Sequence, residues 1–242
     1  MTAKINSPDC LIIGNETSNT YGLYVDTPPK RSMAAQNTQK IDIPGREESL
    51  YVTDDEYEDV VMNIKALTFS NDFDISPVYT WLRSARSFSF SSEPNNCYRV
   101  KKLNGITPSY SGHGKNIYTI SFVVSPFVYR TDEAVISKTA REFIVTNNGN
   151  HYCRPTIKVY GTGDISLIIA DESTEGMPTT PDITIFGVDG YCVIDAERTL
   201  VHKDGEFVRF SGKIPFAAVG DNGFIWSGGY TKCELVMNER DV

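Results

Sequence analysis

Residues that could do chemistry are few and widely spaced in this chain. The histidines are His113, His151 and His202, and one of them forms a short His151-x-Cys153 pair. A zinc site needs three or four ligands, and the sequence offers no evident further ligands for this pair. No G-x-S-x-G, H-E-x-x-H or G-x-G-x-x-G motif is present. The sequence therefore predicts no catalytic residue, no cofactor and no metal site.

The densest charge is the acidic run Thr53–Asp59, with the sequence TDDEYED. Clustered carboxylates can hold calcium, but an EF-hand loop needs ligands at alternating positions, a glycine and a distal Glu. The run lacks that spacing, so we interpret it as the solvated tip of a hairpin. The strand that follows alternates apolar and polar residues from Val60 to Ala66, as a half-buried strand does.

The cysteines are odd in number and far apart, and none forms a C-x-x-C pair. A disulfide framework or a zinc ribbon is therefore not expected. We interpret all five as buried free thiols of a protein made in a reducing cytosol. They are Cys10, Cys97, Cys153, Cys192 and Cys233.

Length and charge limit the function classes further. A chain of 242 residues predicts one large or two medium domains. Its net charge of −8 argues against specific nucleic-acid binding, which normally needs a basic face. The first residues lack the layout of a signal peptide. No apolar run approaches the ~20 residues that span a bilayer, so membrane insertion is not expected.

One helix is predicted, and a β-sheet is expected to pack around this helix. Ser76 is a suitable N-cap and Pro77 suits the first helical position. Trp81 is predicted to be the structural anchor that packs this helix on a sheet. The apolar stripe follows helical spacing and consists of Val78, Trp81, Leu82 and Ala85.

The second half of the chain reads as short strands and turns. Gly161–Asp164, Asp189-Gly190 and Lys203–Gly205 each separate two apolar segments, as hairpin turns do. Such a pattern indicates an antiparallel sandwich. The predicted fold class is mainly β, with two β-sandwich-type domains at 1–130 and 131–242. The first carries one short α-helix and a protruding β-hairpin.

Three aromatic residues are candidates for a sugar-binding surface. Sandwich domains often bind sugars through an exposed ring beside polar side chains, and Tyr191, Tyr230 and Trp226 are available for this. Trp226 alternates with Phe224, which favours a place in the core, so Trp226 is predicted to be a second structural anchor. Tyr191 and Tyr230 remain as candidate glycan contacts.

The order of several degenerate motifs resembles the distal tail protein (Dit) family of long-tailed bacteriophages. IDIPGR at 41–46 looks like the family's V-P-G-R element, which precedes its belt hairpin. Cys97–Val100 resembles its YY-x-V element and 125–129 its P-F-x-Y domain junction. The carboxyl half, including NGFIWSG at 222–228, is similar to its galectin-like domain.

The resemblance implies a structural virion protein at the phage tail tip, made in the host cytoplasm and without enzymatic activity. Such proteins form a homohexameric ring through their amino-terminal domains. The ring joins the tail tube protein to the tail-associated lysin or tail fibre hub, and in many phages it carries receptor-binding or baseplate proteins.

A closed ring needs a heterologous interface, and an exposed hairpin laid across a neighbour would supply one. We therefore predict that the hairpin Glu47–Val60 docks on the next subunit. The interface candidates are Pro44, Gly45, Arg46, Asp54, Asp55, Glu56 and Tyr57.

Two alternatives stay open. One is a carbohydrate-binding module that contacts cell-surface glycan, alone or as an added role of the second domain. The other is a sandwich hydrolase, which would need two carboxylates facing one cleft.

Overall fold

The computed structural model describes most of the chain in two compact units. The first unit comprises residues 1–131 with Val242, and the second comprises residues 132–241. The described residues are 9–30, 33–69, 73–110, 116–171 and 182–242, without the side chains of Thr27, Asp54, Asp55 and Tyr110.

The first unit is built from nine strands, one short 3-10 helix at Ser18–Tyr21 and the helix α1 at Ile75–Arg83. The strands are β1 (Leu11–Ile13), β2 (Glu16–Thr17), β3 (Tyr24–Thr27), β4 (Gln36–Ile41), β5 (Leu50–Tyr57), β6 (Val60–Thr68), β7 (Ser87–Phe90), β8 (Glu93–Tyr110) and β9 (Asn116–Arg130).

Most of these strands form one antiparallel sheet in the order β2-β1-β7-β8-β9-β6-β3. In β6, burial alternates along the strand as the sequence predicts, because one face lies on the core. The core of this unit also receives the apolar side of α1 and the rings of Phe88, Phe90 and Phe122. Strands β4 and β5 stay outside it and pair only with each other among the described strands.

The predicted helix is present, with its start displaced. Val78, Trp81 and Leu82 are buried, as their spacing indicates. The N-cap is Asp74 and not Ser76, because the Asp74 carboxylate accepts the Ser76 amide at 2.9 Å. Both residue types cap helices well, so the choice depends on backbone geometry that the sequence does not reveal.

The second unit is built from strands alone in its described part. They are β10 (Ile136–Lys138), β11 (Glu142–Asn147), β12 (Thr156–Asp171), β13 (Ile183–Asp195), β14 (Leu200–Lys203), β15 (Glu206–Phe207), β16 (Phe210–Gly212), β17 (Gly220–Val236) and β18 (Arg240–Asp241). Strands β10-β17-β12-β13-β14-β15 are neighbours in that order, β11 pairs with β17, and β16 pairs with β13.

Two of the three predicted hairpins in this unit are wrong. Gly161–Asp164 and Asp189-Gly190 do not reverse the chain, because they lie inside the long strands β12 and β13. The register of β12 shifts at Gly161 and Gly163. A Cβ at Gly161 would lie 2.1 Å from the carbonyl oxygen of Gly229. Glycine therefore marks a close backbone approach within the sheet here.

The third predicted hairpin is confirmed. Strands β14 and β15 pair antiparallel around Asp204 and Gly205, whose φ angles of 52° and 88° are typical of a tight two-residue hairpin turn. The mainly β fold class is also confirmed. Among the described residues, no helix is both long enough and apolar enough to cross a bilayer.

Candidate subunit interface

The candidate interface is a β-hairpin that leaves the sheet of the first unit between β3 and β6. Strands β4 and β5 pair antiparallel, and Ile41 opposite Leu50 is the last pair before the tip. The tip is therefore residues 42–49. It contains Pro44, Gly45 and Arg46, where the Arg46 amide donates to the Ile43 carbonyl at 3.1 Å.

Hydrogen bonds hold the tip in shape. The Asp42 carboxylate accepts the Ser49 hydroxyl at 2.5 Å and lies 3.3 Å from the Lys40 ammonium. These two interactions hold the pKa of Asp42 below its ordinary value. Gly45 has a φ of 86°, a backbone conformation that favours glycine.

The predicted hairpin boundaries, Glu47–Val60, are wrong. The acidic run is not the tip, because Asp54, Asp55, Glu56 and Tyr57 belong to β5. The first strand is Gln36–Ile41, a segment whose polar residues show no alternation. Every residue of that strand is exposed, so no core-facing pattern was available to mark it as a strand.

The register divides the hairpin into two unlike faces. Directly opposed residues share a face, and the face alternates along a strand. Lys40 pairs with Tyr51 and Thr38 with Thr53, which makes one face largely polar. The other face carries Gln39 and three apolar side chains, Ile41, Leu50 and Val52, each of the three between 40% and 45% exposed. We call these three side chains the apolar face of the hairpin.

This apolar face was not predicted from the sequence. Its signal is the alternation of apolar residues on both sides of the Pro-Gly-Arg turn, at Ile41 and Ile43 before it and at Leu50 and Val52 after it. That pattern is typical of two strands that meet at a turn.

The base of the hairpin is attached to its own unit. Tyr57 is half-buried, and its ring lies 5.7 Å from that of Phe127, edge to face. Gln36 donates a hydrogen bond to the Tyr57 hydroxyl at 3.4 Å. Tyr57 therefore helps to fix where the hairpin emerges. Glu56 is exposed beside it, and the side chains of Asp54 and Asp55 lie outside the described residues.

The two tryptophans lie in the cores of their units. Trp81 is buried and packs against Tyr21, with ring centroids 4.9 Å apart. Trp226 is 2% exposed and stacks on Tyr230 at 4.9 Å. The single hydroxyl hydrogen of Tyr230 is shared between two acceptors, the carbonyls of Lys138 at 2.9 Å and Ala140 at 3.1 Å.

The prediction that Tyr230 contacts glycan is therefore wrong. Its side chain is 4% exposed, and burial raises the pKa of its hydroxyl. A tyrosine that is apolar on its ring and polar at its tip can complete a core when backbone carbonyls accept its hydroxyl hydrogen. Alternation along β17 already indicates this position, because Tyr230 lies an even number of residues after Phe224 and Trp226 and all three are buried.

Tyr191 lies on the half-exposed outer side of the second unit. Its ring is 6.1 Å from that of Tyr160, and the Lys158 ammonium lies 4.3 Å from its centroid. Its hydroxyl donates to Asp204, which raises the pKa of Tyr191. Its ring is engaged by a cation and its hydroxyl by a carboxylate, which leaves it less available to a ligand than the sequence indicates.

The cysteines are free thiols, and four of them are buried. Burial raises the pKa of Cys153 to about 12 and of Cys192 to about 11, so both stay protonated at neutral pH. His151 lies against Tyr152, while His113 falls outside the described residues. The described residues contain no group of three His, Cys, Asp or Glu side chains placed to hold a metal ion.

The chain is similar to a known protein in its fold but not in its sequence. No protein-family model matches the chain, and no curated protein sequence matches it. Among solved structures, the Dit protein (gp 19.1) of phage SPP1 superposes with a TM-score of 0.74. The match covers 97% of this chain and 99% of that one at 15% identity. That protein is described as a paradigm of the hub adsorption apparatus in phages that infect Gram-positive bacteria. The resemblance to Dit proteins is thereby confirmed at the level of the fold.

Proposed function

We propose that this protein is a structural component of a phage tail tip, where it forms a homohexameric ring. In this role the ring connects the tail tube to the tail-associated lysin or tail fibre hub and carries receptor-binding or baseplate proteins. The protein acts by assembly and not by catalysis. Its place in the mature particle is the virion tail.

The observation that carries the proposal is the exposed hairpin. A two-stranded sheet alone is marginally stable in water, and a further surface must usually cover one of its faces. Here the side chains of the apolar face, Ile41, Leu50 and Val52, each keep 40% to 45% of their surface exposed. Such a surface favours a protein partner over solvent.

The exposed fractions of these side chains indicate how much free energy their burial in an interface would contribute. Fully burying a Leu, Ile or Val side chain stabilises by about 1.5–3 kcal/mol. Because each of the three is already more than half-buried, covering the remainder contributes roughly 1 kcal/mol per side chain. Repetition around a closed ring multiplies this modest contribution, since every subunit both offers and receives a hairpin.

The fold likeness supports the same role. The SPP1 protein that shares this fold belongs to a hub adsorption apparatus, and the two chains match over nearly their full lengths. The net charge of −8 is also compatible with DNA passing through such a ring, because a protein of the same sign of charge does not retain the phosphate backbone.

The experiment is the measurement of mass and shape in solution. Purified protein at tens of micromolar is examined by light scattering and negative-stain electron microscopy, beside Leu50→Asp and Tyr51→Asp. Leu50 belongs to the apolar face, whereas Tyr51 is its neighbour on the polar face. Both side chains are exposed, so neither change disturbs a core.

We expect the natural chain to reach about six times its 27.0 kDa mass and to appear as sixfold rings. Leu50→Asp places a carboxylate in each interface, where burying an unpaired charge costs several kcal/mol, and the rings dissociate. Tyr51→Asp retains them. A strict monomer under all conditions, or rings that persist in Leu50→Asp, would contradict the proposed interface.

A further inference from the structure

Charge is unevenly distributed along the first unit. Strands β8, β9 and β6 are neighbours in its sheet, and they carry five cationic side chains against one carboxylate, that of Glu93. The cations are Lys65, Arg99, Lys101, Lys102 and Arg130. In a chain with a net charge of −8, these three strands therefore form a basic region.

The register shows which side chains share the outward face of these strands. In β6 every second side chain points away from the core, and residues opposite each other in neighbouring strands share a face. Across β6, β9 and β8 this gives three rows on the outward face. They are Val61-Val123-Lys102, Asn63-Ser121-Gly105 and Lys65-Thr119-Thr107. We call these nine residues, with the exposed Lys101 beside them, the basic face of the sheet.

The basic face is accessible and holds no carboxylate. Val61 is 54% exposed, and Lys65 and Lys102 are exposed as well. A Cβ at Gly105 would meet nothing within 4 Å, so space is open above the middle of the face. None of its three lysines forms an ion pair with the described residues. The face therefore presents positive charge that the unit itself does not neutralise.

The hairpin of the same unit carries the opposite charge. Residues 36–59, which span the hairpin and its link to β6, contain eight carboxylates against two cations, Lys40 and Arg46. Glu47 and Glu48 are exposed at the tip, close in sequence to Leu50 of the apolar face. The hairpin therefore combines an apolar face with an acidic tip.

The hairpin and the basic face match in the order of their parts. On the hairpin, the apolar face leads to the acidic tip. On the sheet, Val61 and Val123 stand in one row with Lys102, and Lys101 lies next to it. One docked orientation therefore places apolar side chains on apolar ones and carboxylates beside ammonium groups at the same time. Such complementarity selects the register of a contact and speeds its formation.

We propose that the basic face receives the hairpin of a neighbouring copy, with Glu47 and Glu48 beside Lys101 and Lys102. This inference rests on the proposed ring and names the acceptor surface within it. Each subunit offers one hairpin and one basic face, so the contact is heterologous and can close a ring. Because charge contributes to the contact, assembly should weaken as the salt concentration rises.

The test exchanges the charges of the two surfaces in the full chain. The face variant combines Lys101→Glu with Lys102→Glu. The tip variant combines Glu47→Lys with Glu48→Lys, and the exchange variant carries all four changes. Light scattering and negative-stain electron microscopy measure assembly over a range of protein concentrations. All four positions are exposed, so circular dichroism should report an unchanged fold in every variant.

The matched control combines Arg83→Glu with Arg86→Glu. Both arginines are exposed, at the end of α1 and just after it, and neither belongs to the basic face. The control changes the net charge by as much as the face variant does. It therefore separates a local effect on the acceptor surface from a general effect of added negative charge.

We expect rings from the natural chain and from the control. In the face variant and in the tip variant, each alone, like charges meet in every interface, and the concentration needed for assembly should rise at least about tenfold. The exchange variant restores attraction and forms rings again.

An equimolar mixture of the face variant and the tip variant should also form rings. The glutamate tip of the first meets the lysine face of the second, and the lysine tip of the second meets the glutamate face of the first. Both contacts attract, and alternating subunits can close a ring with an even number of members. A hairpin that folds onto its own sheet would show no recovery in the mixture.

Three results would overturn the inference. They are rings that persist unchanged in the face variant, loss of rings in the control, and a mixture that stays unassembled while the natural chain forms rings. The natural chain keeps the two proposals apart. If it stays monomeric, the ring is rejected and the acceptor surface with it, whereas rings that tolerate the face variant reject the acceptor surface alone.

Discussion

Asp9 ties the beginning of the described chain to the turn after β7. Its carboxylate accepts the backbone amides of Cys10 at 2.9 Å and Ser92 at 3.0 Å, and the hydroxyls of Ser91 and Ser92 donate to it as well. Partial burial by itself would raise the pKa of Asp9. The four hydrogen bonds outweigh that effect and hold the pKa below its ordinary value.

The lowered pKa makes the stability contributed by Asp9 depend on pH. The contribution is fully present above the unfolded pKa of about 3.9 and is lost as pH falls through the folded value. We expect Asp9→Asn to reduce stability by about 1 kcal/mol at pH 7, a low figure because the group is largely solvated. The difference in Tm from the natural chain should shrink below about pH 4.

Thermal unfolding by circular dichroism at pH 7, 5 and 3 measures this difference. Asp26→Asn is the matched control, since Asp26 is exposed on the neighbouring part of the same unit. A Tm difference that stays constant down to pH 3 would mean that the carboxylate charge is not what stabilises this turn.

Gly229 lies in β17 where the backbone of β12 leaves no room for a side chain. A Cβ at this position would lie 1.7 Å from the carbonyl oxygen of Thr162, which is backbone and cannot turn aside. Gly229→Ala therefore forces β12 and β17 apart, and we expect a loss of about 3 kcal/mol in the free energy of unfolding. Urea denaturation followed by tryptophan fluorescence provides the measurement.

Gly105→Ala is the control for that substitution. Gly105 also lies in a long strand, but a Cβ there meets nothing within 4 Å, so the change should be neutral or stabilise slightly by restricting the unfolded chain. Equal effects of the two substitutions would show that the backbone contact at Thr162 relaxes without cost.

Helices and strands that have one face on a core can be predicted from the sequence, whereas a fully exposed strand cannot. The stripe Val78, Trp81 and Leu82 and the alternation of β6 were readable because each has one face on a core. Strand β4 could not be predicted in this way, because all its residues are exposed. The glycines of β12 were misread for another reason, since a glycine serves equally in a turn and in a close strand contact.

The same distinction explains the candidate sites. The tip residues Pro44, Gly45 and Arg46 were identified through a local turn motif. The apolar face depends on which residues stand opposite each other across the hairpin. Pairing and long-range contact are set by the whole chain, so one sequence without homologues does not reveal them.

The exposure of the hairpin predicts how fast its backbone amides exchange with solvent. In a dilute, unassembled protein the amides of β4 and β5 should exchange with solvent within seconds, because a two-stranded sheet without a covered face opens at little free-energy cost. In assembled protein the same amides should be protected at least about tenfold more. Hydrogen–deuterium exchange at two concentrations checks this.

The strand β6 is the internal reference for that measurement, because its alternate residues are buried in the first unit at any concentration. Slow exchange of β4 and β5 already in the monomer would indicate that the hairpin is stable unaided. Its apolar face would then need no neighbour.

At the scale of the whole molecule, the two units have separate hydrophobic cores. One buried cluster extends from Leu11 to Val128, and the other from Val145 to Met237. A domain with its own core is expected to fold alone. The hairpin belongs to the first unit, so ring formation should be retained when the chain is cut between the two units.

We therefore expect residues 1–131 to form rings without the rest of the chain, and residues 132–242 to stay monomeric and folded. Each fragment is expressed alone and compared with the full chain by light scattering, electron microscopy and thermal unfolding. Leu50→Asp in the first fragment should abolish its rings, because the apolar face is its means of association. Rings formed by 132–242, or a first fragment that folds but stays monomeric at every concentration, would move the assembly surface out of the first unit.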